Sequence, residues 1–190
     1  MDSGLIAPPR GFDAAEFEAR FARAQALMAK HELDALFLTT APNIRYFTGF
    51  ASQFWESPTR PWFLLVPRRG KPIAIIPEIG EPAMAATWIT DIRTWPAPRP
   101  ADDGVSLLTA AMNGIERTHG RIGAELGRES VVRMPVIELD EVRKGLRGTA
   151  IVNGSPCIWD IRMVKTAAEI ARVRHICQIV SAGFEALPEK

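Results

Sequence analysis

The sequence predicts an α/β domain in which helices flank a mixed β-sheet. Short apolar runs typical of buried strands alternate with longer segments whose apolar residues recur every three or four positions. Two early runs are joined by a polar connector containing Gly70, which predicts an antiparallel hairpin, whereas later runs alternate with helices, which favours parallel neighbours. At 190 residues, the chain is long enough for one such domain with a substantial hydrophobic core.

The first helix is predicted from Asp13 to His31, since its apolar residues share one face. Asp13 with Glu16 predicts a capping box at its start. A strand suited to burial on both faces follows at residues 35–39, and Gly49 then ends a short helical turn. The remaining elements of this half are strands at 62–66 and 73–76 and a helix at 81–88.

In the C-terminal half, a proline cluster at residues 96–100 ends a short strand at 92–95. Asp102 and Asp103 suit the positive end of the helix that follows. Further elements are a strand at 121–126, a helix at 135–146 and a strand at 149–152. The proline cluster has too little polar sequence around it to separate independent domains, so one domain spans most of the chain.

The last segment predicts a long amphipathic helix. Thr166 and Glu169 form a capping box, and an apolar stripe follows at helical spacing. The stripe comprises Ile170, Val173, Cys177, Val180, Phe184 and Leu187. Leaving most of it in water would forgo on the order of 10 kcal/mol, at about 1.5 to 3 kcal/mol per large apolar side chain. We therefore expect it to pack on its own domain, on a second copy, or on sequence absent from this chain.

Composition and charge restrict the function. Hydrophobic residues make up 47% and charged residues 24%, and the net charge is +1, which is typical of an ordinary globular protein. This balance leaves no clustered cationic excess for nucleic acid. The N-terminal segment lacks the pattern of a signal peptide, and no apolar run reaches membrane-spanning length. We expect a cytoplasmic protein that binds neither nucleic acid nor a membrane.

Most common catalytic constellations are missing from the sequence. It has no glycine-rich phosphate loop, no histidines paired at helical spacing and no nucleophile elbow. We expect structural or solvated roles for the histidines, His31, His119 and His175, and a solvated helix face for Glu138, Asp140 and Glu141. Cys157 and Cys177 are too few for a secreted disulfide scaffold and are expected to be buried thiols in a reducing compartment.

One polar and aromatic loop, residues 54–62, has the composition of a binding surface. Phe54, Trp55 and Arg60 could form an exposed pocket wall, because arginine binds carboxylates bidentately and tryptophan offers a flat apolar face. The alternative is that the rings cap the core from the loop side.

Three segments together resemble a known family. NIRYFTGF at residues 43–50 resembles the Asn-aliphatic-x-Tyr-aromatic-Ser/Thr-Gly-aromatic signature in the N-terminal domain of the creatinase, prolidase and aminopeptidase P group. RIGAE at 121–125 is similar to the strand after that domain's middle helix. RMVKTAAEI at 162–170 resembles the Arg-x-x-Lys-Ser/Thr-x-x-Glu-Ile motif that opens the catalytic domain. The match runs in order from about residue 17 to residue 187.

The resemblance implies a ribonuclease-H-like creatinase N-terminal domain at residues 1–160. Residues 161–190 would then be a linker and the first helix of a catalytic pita-bread domain absent from this chain. That domain binds two divalent metal ions, commonly manganese, zinc or cobalt, through two Asp, one His and two Glu. This chain itself would hold no metal and would be catalytically inactive.

The resemblance also implies roles in a homodimer. In relatives, the N-terminal domain holds the dimer together and lends side chains to the neighbouring active site. By position, Trp55 and Arg60 would contact the partner subunit's substrate, with Phe54 as a second candidate. The substrate would be an Xaa-Pro peptide or a small amide or amidine such as creatine or ectoine.

Two other hypotheses remain open at this stage. The chain could be a free-standing module that binds a small carboxylate through Trp55 and Arg60. It could also be a self-sufficient α/β enzyme with an unrecognised site, although convergent His, Asp and Glu residues are scarce.

Overall fold

The computed structural model describes residues 7–9, 11–56 and 61–187. Its strands are β1 (Ala35–Leu38), β2 (Phe63–Pro67), β3 (Ile73–Pro77), β4 (Asp91–Trp95), β5 (Arg121–Ala124) and β6 (Ala150–Asn153). Its α-helices are α1 (Ala14–Lys30), α2 (Ala41–Thr48), α3 (Glu81–Ala85), α4 (Val105–Asn113), α5 (Val136–Gly145), α6 (Ser155–Met163) and α7 (Ala167–Glu185). Short 3-10 turns occupy Gln53–Glu56 and Glu78–Gly80.

The strands form one sheet in the order β4-β3-β2-β1-β5-β6. β1 lies inside it, antiparallel to β2 and parallel to β5, and Leu36 faces Val66 on one side and Gly123 on the other. β2 and β3 form the predicted antiparallel hairpin, while β4 and β6 pair in parallel with β3 and β5. The sheet is therefore mixed, which confirms the predicted fold class.

Helices cover both faces of the sheet, because alternate residues of the central strands are apolar on either side. One core cluster joins α1, α2, α3 and α6 to one face through side chains such as Met28, Phe47 and Ile161. The other joins α4 and α5 to the opposite face through Leu108 and Val142. β1, β2 and β3 are buried on both faces, as their continuous apolar runs predict, whereas the outer strands β4 and β6 are partly exposed.

The chain leaves β1 and β5 toward opposite sides of the sheet. After β1 it runs through α2 to β2, and after β5 it runs through α5 to β6 at the other side. α2 and α5 also lie on opposite faces. Where the connections from two neighbouring strands run to opposite sides, a crevice opens at the carboxyl ends of those strands. α/β proteins commonly bind ligands in such a crevice.

Most predicted elements are present within a few residues, but α3 is shorter than expected. It ends at Ala85, because the Thr87 hydroxyl donates to the Met84 carbonyl oxygen at 2.7 Å and accepts from the Ile89 amide at 3.2 Å. These bonds replace the helical pattern with a turn. The predicted continuation to residue 88 is wrong for this reason.

The α6 helix was not predicted from the sequence. Pro156 lies in its first turn, a position that proline favours, and Cys157, Ile158 and Ile161 are buried on one face. Ile161 therefore lies in a core helix, and the predicted domain boundary at residue 160 stays a prediction.

The capping predictions differ in outcome. At α7 the box is present, with Thr166 and Glu169 bonding each other's backbone amides. At α1 only half is present: Asp13 accepts from the Glu16 amide at 2.8 Å. The Glu16 carboxylate accepts from Arg20 of the same helix and from Thr166 at the start of α7 instead, at 3.0 and 2.7 Å, so it does not complete its own cap.

The two cysteines also differ. Cys157 is buried, and its pKa is raised to about 12. The larger cause is burial, and the smaller is the negative charge of the nearby Asp160 carboxylate. Cys177 is exposed on α7, so the prediction that both thiols are buried is wrong for this residue. Within the described residues, no helix is both long enough and apolar enough to cross a membrane.

Candidate functional site

A buried carboxylate marks the end of β5. Glu125 is 2% exposed, and its oxygens accept hydrogen bonds from both residues that follow β1. Thr39 donates its amide at 2.6 Å and its hydroxyl at 2.9 Å, and Thr40 donates its amide at 3.1 Å and its hydroxyl at 2.5 Å. The Asn43 amide nitrogen is a fifth donor, at 2.5 Å. These donors satisfy the buried charge, which would otherwise be expensive.

Asn43 extends this network to α6. Its side-chain oxygen accepts a hydrogen bond from Nη1 of Arg162 at 2.6 Å. The Arg162 guanidinium also lies 5.6 Å from the centre of the Tyr46 ring. Glu125, Asn43 and Arg162 each come from one of the three segments that carry the family resemblance, so one hydrogen-bonded chain connects all three.

A cleft of about 540 Å³ opens beside this network. We call it the strand-end cleft, because Thr40, Glu125 and Ser155 line it from just beyond β1, β5 and β6. Asn43, Trp159 and Arg162 are also among its lining residues. It occupies the crevice that the sheet topology predicts.

A second buried carboxylate, Asp34, lies at the other end of the sheet, where β1 and β5 begin. Asp34 accepts from the backbone amides of Thr118, His119 and Gly120 at 2.7 to 3.0 Å. Burial alone would raise the pKa of Asp34, but the backbone hydrogen bonds outweigh it and hold that pKa below its usual range. Asp34 therefore anchors the turn before β5 and has a structural role.

Arg20 joins three helices. Its guanidinium is buried, donates to Glu16 at 3.0 Å and to the Tyr46 carbonyl oxygen at 2.9 Å, and lies 4.5 Å from the Tyr46 ring centre. A carboxylate oxygen of Glu169 in α7 lies 3.5 Å from Arg20 Nη2. The buried cation thus contacts α1, α2 and the first turn of α7.

The α7 helix is attached to the domain by one side only. Thr166 bonds Glu16, and Arg172 donates to the carbonyl oxygens of Pro9 and Gly11 while lying 3.9 Å from the Phe12 ring centre. No residue of α7 is buried. These contacts fix the direction of the helix and leave its other side open.

The apolar stripe of α7 faces away from the domain. Its side chains are 44 to 70% exposed, with Ile170 at the low end and Phe184 at the high end. Ile176 and Ile179 extend the open surface at 58% and 48%. The sequence left three surfaces on which this stripe could pack. Among the described residues, the chain's own domain does not cover it, which leaves a second copy or sequence absent from this chain.

The comparisons with known proteins identify the family. A family model described as the creatinase/prolidase N-terminal domain matches residues 20–164. The chain belongs to this family. The matched range contains all of the sheet and ends between α6 and α7, so the chain of hydrogen bonds from Glu125 to Arg162 lies inside the family domain.

Similar proteins are longer enzymes and isolated domains. Agropine synthesis cyclase from Rhizobium rhizogenes is 28% identical over 177 residues, which cover 88% of this chain and 42% of that protein. A recombinant prolidase from Thermococcus sibiricus superposes with a TM-score of 0.72 at 18% identity, covering 91% of this chain and 44% of the prolidase. The chain therefore spans less than half of each.

One solved structure has nearly the same extent as the matched domain. It is the creatinase/prolidase N-terminal domain of an X-Pro dipeptidase from Streptococcus pyogenes, with a TM-score of 0.57 and 15% identity. The alignment covers 75% of this chain and 98% of that domain. At this identity the likeness shows the shared fold.

In this creatinase/prolidase N-terminal domain, the predicted loop residues take different places. Trp55 is 7% exposed and packs against Phe50 and Trp62, with ring centres 6.1 and 5.5 Å apart. It caps the core, which is the alternative weighed for this loop. Phe54 is 38% exposed, and Arg60 lies outside the described residues. Contact of these three with a partner subunit stays a prediction.

The histidines occupy dispersed positions. His31 ends α1 and lies 2.8 Å from the Asp160 carboxylate. His119 donates its backbone amide to Asp34, and His175 lies on α7. Among the described residues, no group of three or more His, Cys, Asp or Glu could hold a metal ion.

The carboxylates of α5 are only partly solvated. Burial raises the pKa of Glu138, and the neighbouring Asp103, Glu141 and Asp102 carboxylates raise it further. Glu138 is half-buried, which corrects the prediction of a solvated face at this position. Asp140 pairs with Arg143 at 2.8 Å at the surface, as expected for such a face.

Proposed function

We propose that this chain is the non-catalytic N-terminal domain of a dinuclear-metal hydrolase, of the Xaa-Pro peptidase or creatinase-like kind. In this proposal it holds a homodimer together and gates the active site of the partner subunit. The observation that carries the proposal is the exposed apolar stripe of α7, on a chain that spans less than half of its enzyme relatives.

The attachment of α7 supports a docking role. Contacts through Arg20, Thr166 and Arg172 hold one side of the helix, so its orientation is set before any partner binds. The open side carries apolar residues over most of its length, and burying a surface of this kind drives association. We propose that the catalytic half of the same protein packs against this open side of α7.

The metal ions belong to that catalytic half in our proposal. Two divalent ions, manganese, zinc or cobalt, would be held there by two Asp, one His and two Glu. We assign no catalytic step to residues of this chain. A free-standing binding module is not favoured, because the chain matches a domain that occurs within longer dipeptidases and prolidases.

The loop at residues 54–60 is the proposed contribution to the partner subunit's active site. Phe54 is partly exposed, while Trp55 supports the loop from the core. Arg60 would bind a carboxylate of the substrate as a bidentate partner. In the intact dimer, Arg60→Ala should raise KM more than it lowers kcat, whereas an unchanged KM would oppose this role.

The proposed substrate is a small molecule with a peptide, amide or amidine bond. The prolidase and X-Pro dipeptidase structures support a peptide with an Xaa-Pro bond. The resemblance to agropine synthesis cyclase, which is not named as a peptidase, supports a substrate of another class instead. Turnover of an Xaa-Pro dipeptide and of creatine by the product of the complete reading frame distinguishes the two.

The experiment that tests the proposal is an activity assay on the 190-residue chain. Supplied with manganese, zinc or cobalt, it should hydrolyse neither Xaa-Pro dipeptides nor creatine. The product of the complete reading frame should hydrolyse one of them under the same conditions. Metal-dependent turnover by the chain alone would contradict the proposal.

Association of the isolated chain provides a second test. With α7 uncovered, the chain should self-associate with increasing concentration, and Val173→Glu with Phe184→Glu should weaken this in sedimentation velocity. Gln178→Glu is the matched control, since helical spacing places residue 178 away from the stripe. Equal association of both variants would oppose the assignment of the stripe as an interface.

A further inference from the structure

We propose that the strand-end cleft binds a small carboxylate with an apolar body. In this assignment the Arg162 guanidinium binds the carboxylate, and the Trp159 ring forms the apolar wall. The site lies wholly within this chain, so its test does not depend on whether a catalytic half follows.

The position of the cleft is the first argument. It lies between β1 and β5, where the chain connections diverge, and at the carboxyl ends of the parallel strands β1, β5 and β6. α2 and α6 both begin at the cleft, so two helices present their N-terminal ends to it. Its volume of about 540 Å³ is within the range of small-molecule sites.

Arg162 is held in place by one hydrogen bond, and its other N–H groups remain available to a ligand. Nη1 donates to Asn43, which is itself bonded to the buried Glu125, and this is the only hydrogen bond from the Arg162 guanidinium to a described residue. Its other N–H groups are not among the buried unpaired atoms, so they are accessible to a ligand. A guanidinium fixed at one nitrogen loses little entropy on binding a carboxylate with the others.

The charges around the cleft favour a single negative charge. Three cations line the cleft, which are Arg133, Arg162 and Lys165. Of the two acids, Glu125 already accepts five hydrogen bonds, and Glu129 is exposed. The three cations outnumber the two acids by one charge, so a carboxylate fits this lining better than a doubly charged phosphate.

The wall of the cleft is apolar where it meets solvent. Trp159 is 50% exposed and Met163, one helical turn later, is 67% exposed. Val131 lies on the facing loop and is 58% exposed. Large apolar groups that converge with a cation on one cleft suit a ligand that has an apolar body and a charged end.

The test uses 3-phenylpropionate and its neutral isostere 3-phenylpropanamide as probes for the 190-residue chain. In ¹H–¹⁵N NMR titrations, 3-phenylpropionate should shift the indole signal of Trp159, which is assigned by its loss in Trp159→Phe. Calorimetry should show at least about tenfold weaker binding of the amide, the difference expected for loss of a charge-assisted contact. Equal binding of both probes, or no shift at Trp159, would overturn the proposal.

Two variants separate recognition from folding. Arg162→Gln and Trp159→Ala should each weaken binding of 3-phenylpropionate at least about tenfold. Arg174→Gln, an exposed cation on α7, is the control and should bind like the original chain. If Arg162→Gln fails to fold, Trp159→Ala decides the question, because its ring is half-exposed and tolerates truncation. Unweakened binding by Trp159→Ala would contradict the proposal.

Discussion

The Arg162 guanidinium donates to the side-chain oxygen of Asn43 at 2.6 Å, across a sequence separation of 119 residues. This contact ties the end of α6 to the start of α2, and Asn43 passes the connection on to Glu125. The segment after β1, the end of β5 and the segment before α7 are therefore held as one unit.

Glu125→Gln should destabilise the domain strongly. The NH2 group that replaces one carboxylate oxygen donates and cannot accept, so at least one of the five donors around Glu125 would be left buried without a partner. We expect a loss of about 2 to 3 kcal/mol in the free energy of unfolding, measured with urea. Glu129→Gln, at an exposed position, should change it by less than about 0.5 kcal/mol. Similar values for the two variants would contradict the assigned network.

Asp34 should make the domain sensitive to acid. Its folded-state pKa is held below the unfolded value, so its contribution to stability is present above about pH 4 and is lost as the pH falls through the lower folded pKa. The stability difference between the original chain and Asp34→Asn should be constant from about pH 7 to 5 and shrink below about pH 4. Urea unfolding at each pH measures it. Glu18→Gln, at an exposed position, is the control. If the stability difference between the original chain and Asp34→Asn grew in acid, the assigned role of Asp34 would be contradicted.

The two thiols should react at very different rates. Because burial raises the pKa of Cys157 to about 12, almost none of it is thiolate at neutral pH, whereas Cys177 is exposed on α7. An aromatic disulfide reagent at pH 8 should label Cys177 at least about 100-fold faster than Cys157. Cys177→Ser should remove the fast phase and Cys157→Ser should leave it. A fast phase that persists in Cys177→Ser would show that Cys157 is accessible.

Thr166→Ala should loosen the attachment of α7. The variant loses the cap on the Glu169 amide and the 2.7 Å bond to Glu16. Loss of such a cap costs about 1 to 2 kcal/mol. Hydrogen exchange at the amides of Glu169 and Ile170 should therefore accelerate. Ser181→Ala, on an exposed part of the same helix, is the control, and equal exchange in the two variants would oppose a clamp at Thr166.

The fold was predictable because its signals are local. The apolar runs that became β1, β2 and β3 are continuous and short, and the helical spacing of α1 extends over 17 residues. The α6 helix escaped prediction since its apolar face has only Cys157, Ile158 and Ile161, too few for a periodic pattern. The end of α3 is set by two hydrogen bonds of the Thr87 hydroxyl. The spacing of apolar residues does not reveal a helix end of this kind.

The candidate site was less predictable because it depends on contacts distant in sequence. Glu125 could have drawn attention as a charged residue directly after an apolar strand, and Thr39 and Thr40 as polar residues at the end of another. Nothing local indicates that Asn43 and Arg162 meet. The placement of Trp55 in the core likewise depends on Phe50 and Trp62, which are brought together by the sheet.

The most direct test of the central claim is the labelling rate of Cys177 in two forms of the protein. In the 190-residue chain the thiol is exposed on the apolar stripe and should react fast. In the product of the complete reading frame, a catalytic half docked on α7 should slow the reaction at least about tenfold. An equally fast reaction there, or a reading frame that adds no metal-binding domain, would contradict the claim that α7 is a docking helix for the catalytic half.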